Sequence, residues 1–498
     1  EPYRRQRQMC IRDRDQDKAM NIVNSVALKG PSPCYEAVSE AAQDAYTRLI
    51  FPSVERELRS TLSENAQEAA IKVFSVNLRN LLMQPPVKGK VAMGLDPGYR
   101  TGCKVAVVDA TGRVLDTGVI YPTHSHSRVQ EAKALVSRMI QKYQVEVIAI
   151  GNGTASKETE MFTAEVLSNL PQQDKERCAY MVVSEAGASV YSASKLAAEE
   201  FPQFDLTLRS AVSIARRLQD PLAELVKIDP KAIGVGQYQH DMPKKRLDEA
   251  LGGVVEDCVN NVGVDLNTAS PSLLERISGL SAAVSKNIVK YREENGAFTS
   301  RNELKKVNKL GPKAFVQCAG FLRVPESKNV LDNTGVHPES YGAAKELLKL
   351  CGFGEDDVKN GSLSGLADKV AALGEESVAQ QIGVGVPTLQ DIVKELLKPG
   401  RDPRDELPPP LLRTDILELK DLKPGMELTG TVRNVIDFGA FVDIGVHQDG
   451  LVHISQICNK YIKHPSEVLK VGDIVKVWVL NADPVKKRIG LTMKEPKQ

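Results

Sequence analysis

Asp96 lies in the word Gly94-Leu95-Asp96-Pro97-Gly98, after the apolar run Val91-Ala92-Met93 and before a second apolar run from Cys103 to Val108. An acidic residue that ends a strand and runs into Pro-Gly puts a carboxylate on a tight turn at a sheet edge, where a two-metal nuclease would hold its first ligand. Such hydrolysis needs several carboxylates converging on ions about 4 Å apart, because neutral ligands neither hold Mg²⁺ nor balance its charge. Glu185 and Asp220 lie where later ligands of that set would fall. The plainer alternative is a hairpin turn whose Asp caps its own backbone.

Two further groups suit contact with a nucleic acid. Phe438, Phe441 and His453 fall on or beside adjacent short strands, with Arg433, Lys476 and Arg488 nearby. Exposed rings stack on any base and interleaved cations hold the backbone, which is how small barrels bind single strands. The alternative is that both phenylalanines are core. Upstream, Ile277-Ser278-Gly279-Leu280 leads into a helix over 281–294, and Val307-Asn308-Lys309-Leu310-Gly311-Pro312-Lys313-Ala314 leads into another ending near Gly320. Both fit a helix-hairpin-helix pattern, in which glycine lets the N–H groups of a helix start approach a phosphate and the helix dipole adds attraction. Gly279 and Gly311 are the expected turn glycines, with Lys309, Lys313, Lys286 and Lys290 supplying charge around them.

Each group needs its own kind of support. Residues 1–16 are rich in Arg, Gln and Asp, lack an apolar period and begin at Glu1, as expected of a disordered or non-family arm. Residues 17–87 read as helices, over 35–50 and 54–83, stopped by Gln84-Pro85-Pro86. From 88 to 219, strands expected at 90–95, 103–109, 113–121, 145–150 and 179–184 accompany helices expected at 127–143, 156–169, 187–200 and 207–219. The first three strands make an antiparallel meander, and the later two are reached through helices. Residues 220–265 read as linker and helices, 266–325 as the hairpin pair, and 326–420 as an acidic helical domain without a catalytic constellation. Residues 421–494 hold five short alternating strands, the count of an OB-type barrel. The expected fold class is multidomain α+β.

At 498 residues the chain is too long for one core, and about three to five units are expected. No apolar run approaches the roughly 18 residues needed to cross a bilayer, so a cytoplasmic location and no membrane partner are expected. The eight cysteines lie singly, and His124 and His126 have no third ligand beside them, so neither a metal nor any other cofactor is expected. The net charge of +1 conceals blocks: residues 270–325 hold ten Lys/Arg against four Asp/Glu, 326–422 eleven against eighteen, and 423–498 eleven against eight. Two basic blocks around an acidic spacer suit two separate surfaces for an anionic polymer.

The strand order of 88–219 is that of the RNase H-like fold, and the words Gly94 to Gly98, Gly151-Asn152-Gly153-Thr154 and Glu185-Ala186-Gly187-Ala188-Ser189-Val190-Tyr191 resemble its YqgF-type subgroup. Asp437-Phe438-Gly439-Ala440-Phe441-Val442, Gly450-Leu451-Val452-His453-Ile454-Ser455 and Val471-Gly472-Asp473 resemble the S1-type RNA-binding domain. That resemblance places Phe438, Phe441, His453, Asp483 and Arg488 at RNA-facing positions. The whole succession from about residue 17 to 494 resembles the Tex family of bacterial transcription accessory proteins. Nothing before residue 17 matches that family's amino-terminal helix-turn-helix region, so the chain looks like the carboxy-terminal two-thirds of such a protein. The resemblance implies single-stranded RNA as the main partner, DNA as a second one through the hairpins, and a setting in the transcription machinery or at the ribosome. Active resolvases of this fold carry a Glu where this chain has Asn152, and residues 89–215, with thirteen basic against fourteen acidic side chains, offer no broad grip on a duplex. A catalytically silent domain, and no enzyme, is therefore expected. The alternatives are a metal-dependent structure-specific nuclease using Asp96, Glu185 and Asp220, and a ribosome-associated translation factor.

Overall fold

The structure is a computed structural model that describes residues 15–397, 400, 402–410, 412–413, 422–436, 438–446, 449–458, 460, 462–469, 473–483 and 488–495. Residues 1–14 of the expected arm, Lys398 and Pro399 of the expected acidic helical domain, Asp437 and Val471-Gly472 lie outside the described residues. The chain divides into two compact units, one reaching to Asn77 and including Val235–Leu251, the other comprising Leu78–Gly234 and the chain from Gly252 onward.

In the first unit, helix Tyr35–Ala45 passes through a π turn, Tyr46–Ile50, directly into helix Phe51–Leu82. The break expected near Pro52 is absorbed. Proline removes a helical N–H, and the wider turn, closed by the Phe51 N–H on Tyr46 O, carries the chain past it. Tyr46, Ile71 and Phe74 are buried, and a Cβ on Gly236 would enter the Phe74 ring.

In the second unit, β1 (Ala92–Asp96), β2 (Cys103–Val108), β3 (Val114–Ile120), β4 (Val147–Gly151) and β5 (Ala179–Val183) form a sheet in the order β3-β2-β1-β4-β5. β1, β2 and β3 pair antiparallel, whereas β4 lies parallel to β1 and β5 parallel to β4. Alternation sorts the side chains. Met93, Leu95, Val105, Val107 and Ile148 face Val136 and Ile140 of helix His126–Tyr143, while Ala92, Ala106, Val108 and Ala149 face Ala211, Ile214 and Leu218 of helix Leu206–Gln219. A Cβ on Gly94 would stand 2.7 Å from Ala215 N, so glycine lets that helix lie directly on β1. The helix runs so that Ala211 and Ala215 meet Gly94, and Gln219 reaches Lys90 O and Asp109 O at the far end of the strand.

Helix Lys244–Val262 leads to β6 (Val264–Asp265), which pairs in parallel with β7 (Leu322–Arg323) and closes the hairpin region. Arg301, 1% exposed, donates to Leu322 O, Thr334 O, Val336 O and Tyr341 Oη. It thereby fastens that region to the following helices, which share a core of Leu331, Leu347, Leu366 and Leu389. Finally β8 (Glu427–Ile436), β9 (Gly439–Asp443), β10 (Gly450–His453), β11 (Ile474–Asp483) and β12 (Arg488–Thr492) close a barrel in the order β10-β12-β11-β8-β9. Val432, Ala440, Val442, Val452, Val477 and Leu491 fill it. No helix among the described residues is long and apolar enough to cross a membrane.

Candidate nucleic-acid interface

Asp96 ends β1 and Glu185 follows β5, two strands away across β4. The word Gly151-Asn152-Gly153 is built around Glu185. A Cβ on Gly151 would stand 2.8 Å from Glu185 Oε2, one on Gly153 would fall inside the carboxylate, and Asn152 Oδ1 accepts the Glu185 N–H at 3.0 Å. Burial pushes the Asp96 carboxyl up despite a hydrogen bond from Ser210 and the cations Lys104 and Arg217. Burial, then the Asp96 charge, pushes Glu185 up in the same way. The two acids expected first do come together.

The third does not. Asp220 caps helix Pro221–Leu225 through the Ala223 N–H and takes Arg404 Nη1 at 2.7 Å. Ser210, ten residues earlier on the same helix, is at Asp96; at 1.5 Å per residue this sets Asp220 about 15 Å away, at the opposite end of β1. Asp220 thus leaves the set expected for a nuclease, and among the described residues no three His, Cys, Asp or Glu side chains gather to hold a metal. A residue beside the acid pair that sequence reasoning missed is Arg217. It is 4% exposed, donates to Ser184 O and Ala186 O on either side of Glu185, both at 2.8 Å, and is electrostatically coupled to both acids.

In the hairpin region, Ile277 and Leu280 are buried beneath exposed Ser278 and Gly279, and thirty residues on Val307 and Leu310 are buried beneath exposed Asn308 and Lys309. Gly279 has φ +82°, and its counterpart at that offset is Lys309, with φ +66°. Gly311 caps helix Pro312–Cys318 at φ −79° with open space around it, so it is the equivalent of Ser281, not of Gly279. The expectation that Gly311 serves as the turn glycine is corrected accordingly. Each turn leans on the other helix: a Cβ on Gly279 would stand 2.6 Å from Gln317 Cβ, and Asn287 Nδ2 donates to Asn308 O at 2.8 Å. Lys309 and Lys313 are exposed at the second turn.

On the barrel, Phe441 lies opposite Leu451 and Asn434, and His453 opposite Gly439. Because Ala440, Val442 and Val452 point inward, Phe441, Leu451 and His453 share the outer face, and Phe441 and His453 are diagonal neighbours about 7–8 Å apart at Cα. A Cβ on Gly439 would stand 3.1 Å from His453 Cα, so glycine keeps the floor between the rings bare. Phe438, in the turn before β9, is 53% exposed, and its carbonyl accepts the Ile454 N–H. Ser455 N–H and Oγ meet His453 Nδ1 at 3.3 and 2.9 Å and fix the ring.

Cations stand at the end of this face away from His453. Arg433 pairs with Asp443 at 2.7 Å, and Arg488 lies opposite Asp483. Burial would raise the Asp443 carboxyl, but Arg433, the Gly445 N–H and Arg413 hold it below the usual carboxylate range. Lys476 is set apart: it lies opposite Thr429 and pairs with Glu427 at 2.6 Å, on the stretch of β11 joined to the first half of β8. Leu451, Asn434, Asn481 and Gly490 complete the row through Phe441, which strand alternation alone could have indicated.

Four family models match the chain: the Tex protein YqgF-like domain over residues 90–219, a helix-hairpin-helix motif over 259–323, an HHH domain over 329–404 and the S1 RNA binding domain over 421–494. The third match gives a domain type to helices that the sequence alone presented as a spacer. Protein YdcI of Bacillus subtilis is 56% identical over 92% of this chain and 63% of its own length. Protein tex of Bordetella pertussis is 50% identical over 95% of this chain and 59% of its own. The transcriptional accessory protein Tex of Neisseria gonorrhoeae is 52% identical over 89% of this chain and 57% of its own. The chain spans 57 to 63% of the length of these relatives. An RNase H-like domain of Tex type, helix-hairpin-helix domains and an S1 barrel, in the order and at the identity of these relatives, establish that the chain belongs to the Tex family.

Proposed function

We propose that this chain is a non-enzymatic nucleic-acid-binding component of transcription, acting in the cytoplasm, whose barrel holds single-stranded RNA while the hairpin turns take a second stretch of phosphate backbone from RNA or DNA. The observation that carries this reading is the ring platform: Phe438, Phe441 and His453 around bare Gly439, with Arg433 and Arg488 at one end. Stacking on such rings tolerates any base, and the cations follow the backbone. The transcriptional setting is supported by the name of the Neisseria relative. Phe441→Ala combined with His453→Ala should weaken binding of a short single-stranded RNA by about 1–3 kcal/mol for each base that stacks. An unchanged dissociation constant in a variant of native circular dichroism would exclude the platform.

In this reading the RNase H-like domain is catalytically silent, with Asp220 committed to Arg404 and Arg217 lying against the acid pair. The nuclease alternative keeps one observation in its favour, the coupling of Asp96 with Glu185. Incubation of RNA and of branched DNA with Mg²⁺ or Mn²⁺, beside Asp96→Asn, decides: cleavage that disappears in the variant would make the chain an enzyme.

A further inference from the structure

An RNase H-like fold implies divalent cations held by carboxylates at the end of its first strand. The residues present here do not fit that group. Asp96 and Glu185 come together, but a third carboxylate does not join them, and the helix that crosses β1 offers Ser210 to Asp96 and Arg217 to both acids. Arg217 is nearly all buried, and only Nη1 is engaged, by the two carbonyls that flank Glu185. Among the described residues its Nε and Nη2 have no hydrogen-bond partner, and neither have Ser213 Oγ, one turn earlier on the helix, or Glu224 Oε1. A buried guanidinium is tolerated only beside compensating charge, because desolvation of an unpaired ion costs far more than any packing gain. The charge within reach is that of Glu224, Glu185 and Asp96, and Glu224 already holds Lys227 at 2.9 Å.

We propose that Arg217 is the resident cation of this domain: it balances Asp96 and Glu185 in the place where a nuclease of this fold would hold a divalent metal, and so bars metal from the acid pair. A fixed guanidinium repels a second cation brought to the same carboxylates, and its N–H groups are donors with no lone pair to offer a metal. The inference rests on the silent-domain reading and supplies its physical cause. It also explains why the position looks unremarkable in sequence, since Arg216-Arg217 reads as an ordinary basic pair in the last turn of a helix.

The test is Mn²⁺ titration of the full chain, read by calorimetry and by melting temperature. Wild type should take up no Mn²⁺ at Asp96 and Glu185. Arg217→Met should bind it at least about tenfold more tightly, as removal of a fixed like charge implies, and should lose that gain when Asp96→Asn is added. Mn²⁺ binding by wild type that Asp96→Asn abolishes would overturn the inference, as would equal affinity in wild type and a folded Arg217→Met. Should Arg217→Met not fold, the milder Arg217→Lys and Asp96→Asn give a double-mutant cycle on the local opening constant of the domain. A coupling of about threefold or more supports charge balance across the pair, and strict additivity overturns it. RNA cleavage by wild type would sink the silent-domain reading itself, whereas Mn²⁺ binding without cleavage would sink the present inference alone.

Discussion

Gly153 carries a prediction that belongs to one residue. A Cβ there would fall inside the Glu185 carboxylate, which also receives the Gly153 N–H. Gly153→Ala should therefore displace Glu185 and cost about 1–3 kcal/mol, the usual penalty of an overfilled site. Hydrogen exchange at the Asn152 amide, which donates to Val183 O, reads that cost locally, and adding Glu185→Ala should restore most of the protection. Unchanged exchange in the single variant would show that the cradle does not hold the acid. The same residues show what the sequence conveyed and what it withheld. Asn152 stood out as a neutral residue at the end of a strand. The positive role of the word was hidden, because Glu185 arrives there only through the parallel pairing of β4 with β5. Asp220 misled for the converse reason: its distance along the chain suited a third ligand, but the direction of helix Leu206–Gln219 carries it to the other end of β1.

Elements were more legible than side chains. The five strands of the sheet and the five of the barrel follow from apolar alternation and turn residues, because each has a buried face that period two must satisfy. The hairpin pair shows where such reading stops. Aligning Ile277-Ser278-Gly279-Leu280 with Val307-Asn308-Lys309-Leu310 at a thirty-residue offset would have pointed to Lys309, whereas the conspicuous Gly311-Pro312 drew attention to a residue that needs no special backbone. The distinction is testable at the scale of the element. Gly279→Ala must enter the left-handed region and meet Gln317, so it should destabilise the hairpin region by roughly 1–2 kcal/mol. Gly311→Ala, at φ −79° in open space, should change stability by no more than about 0.5 kcal/mol. Hydrogen exchange at the Leu280 and Leu310 amides, each bonded to the residue three before it, compares the two. Equal effects would mean that the two glycines serve alike after all.

At the scale of the second unit, the domains are strapped together by charged residues in the connection between helices and barrel. Arg413 bridges by backbone to Tyr180 at the edge of β5, while its guanidinium lies between Glu160 of the RNase H-like domain and Asp443 of the barrel. Ten residues earlier, Asp402 and Arg404 return to Lys88 and Asp220 at the two ends of the RNase H-like domain's chain. Composition presented residues 326–420 as an acidic helical domain, since a net charge does not reveal which acids are buried among which cations. Asp402 makes the strap measurable. Burial alone would raise its carboxyl, but Arg404 and Lys88 hold it at about 2, below the usual carboxylate range. A depressed folded value means that the stabilisation is full above the ordinary carboxylate range and is lost as pH falls through about 2; the shift corresponds to roughly 2 kcal/mol at neutral pH, falling to about half near pH 3. Asp402→Asn should therefore speed exchange of the Val87 amide, which donates to Leu218 O beside Lys88, far more at pH 7 than at pH 3, when each variant is compared with wild type at the same pH. A ratio independent of pH would show that the strap is held by packing and not by the charge of Asp402.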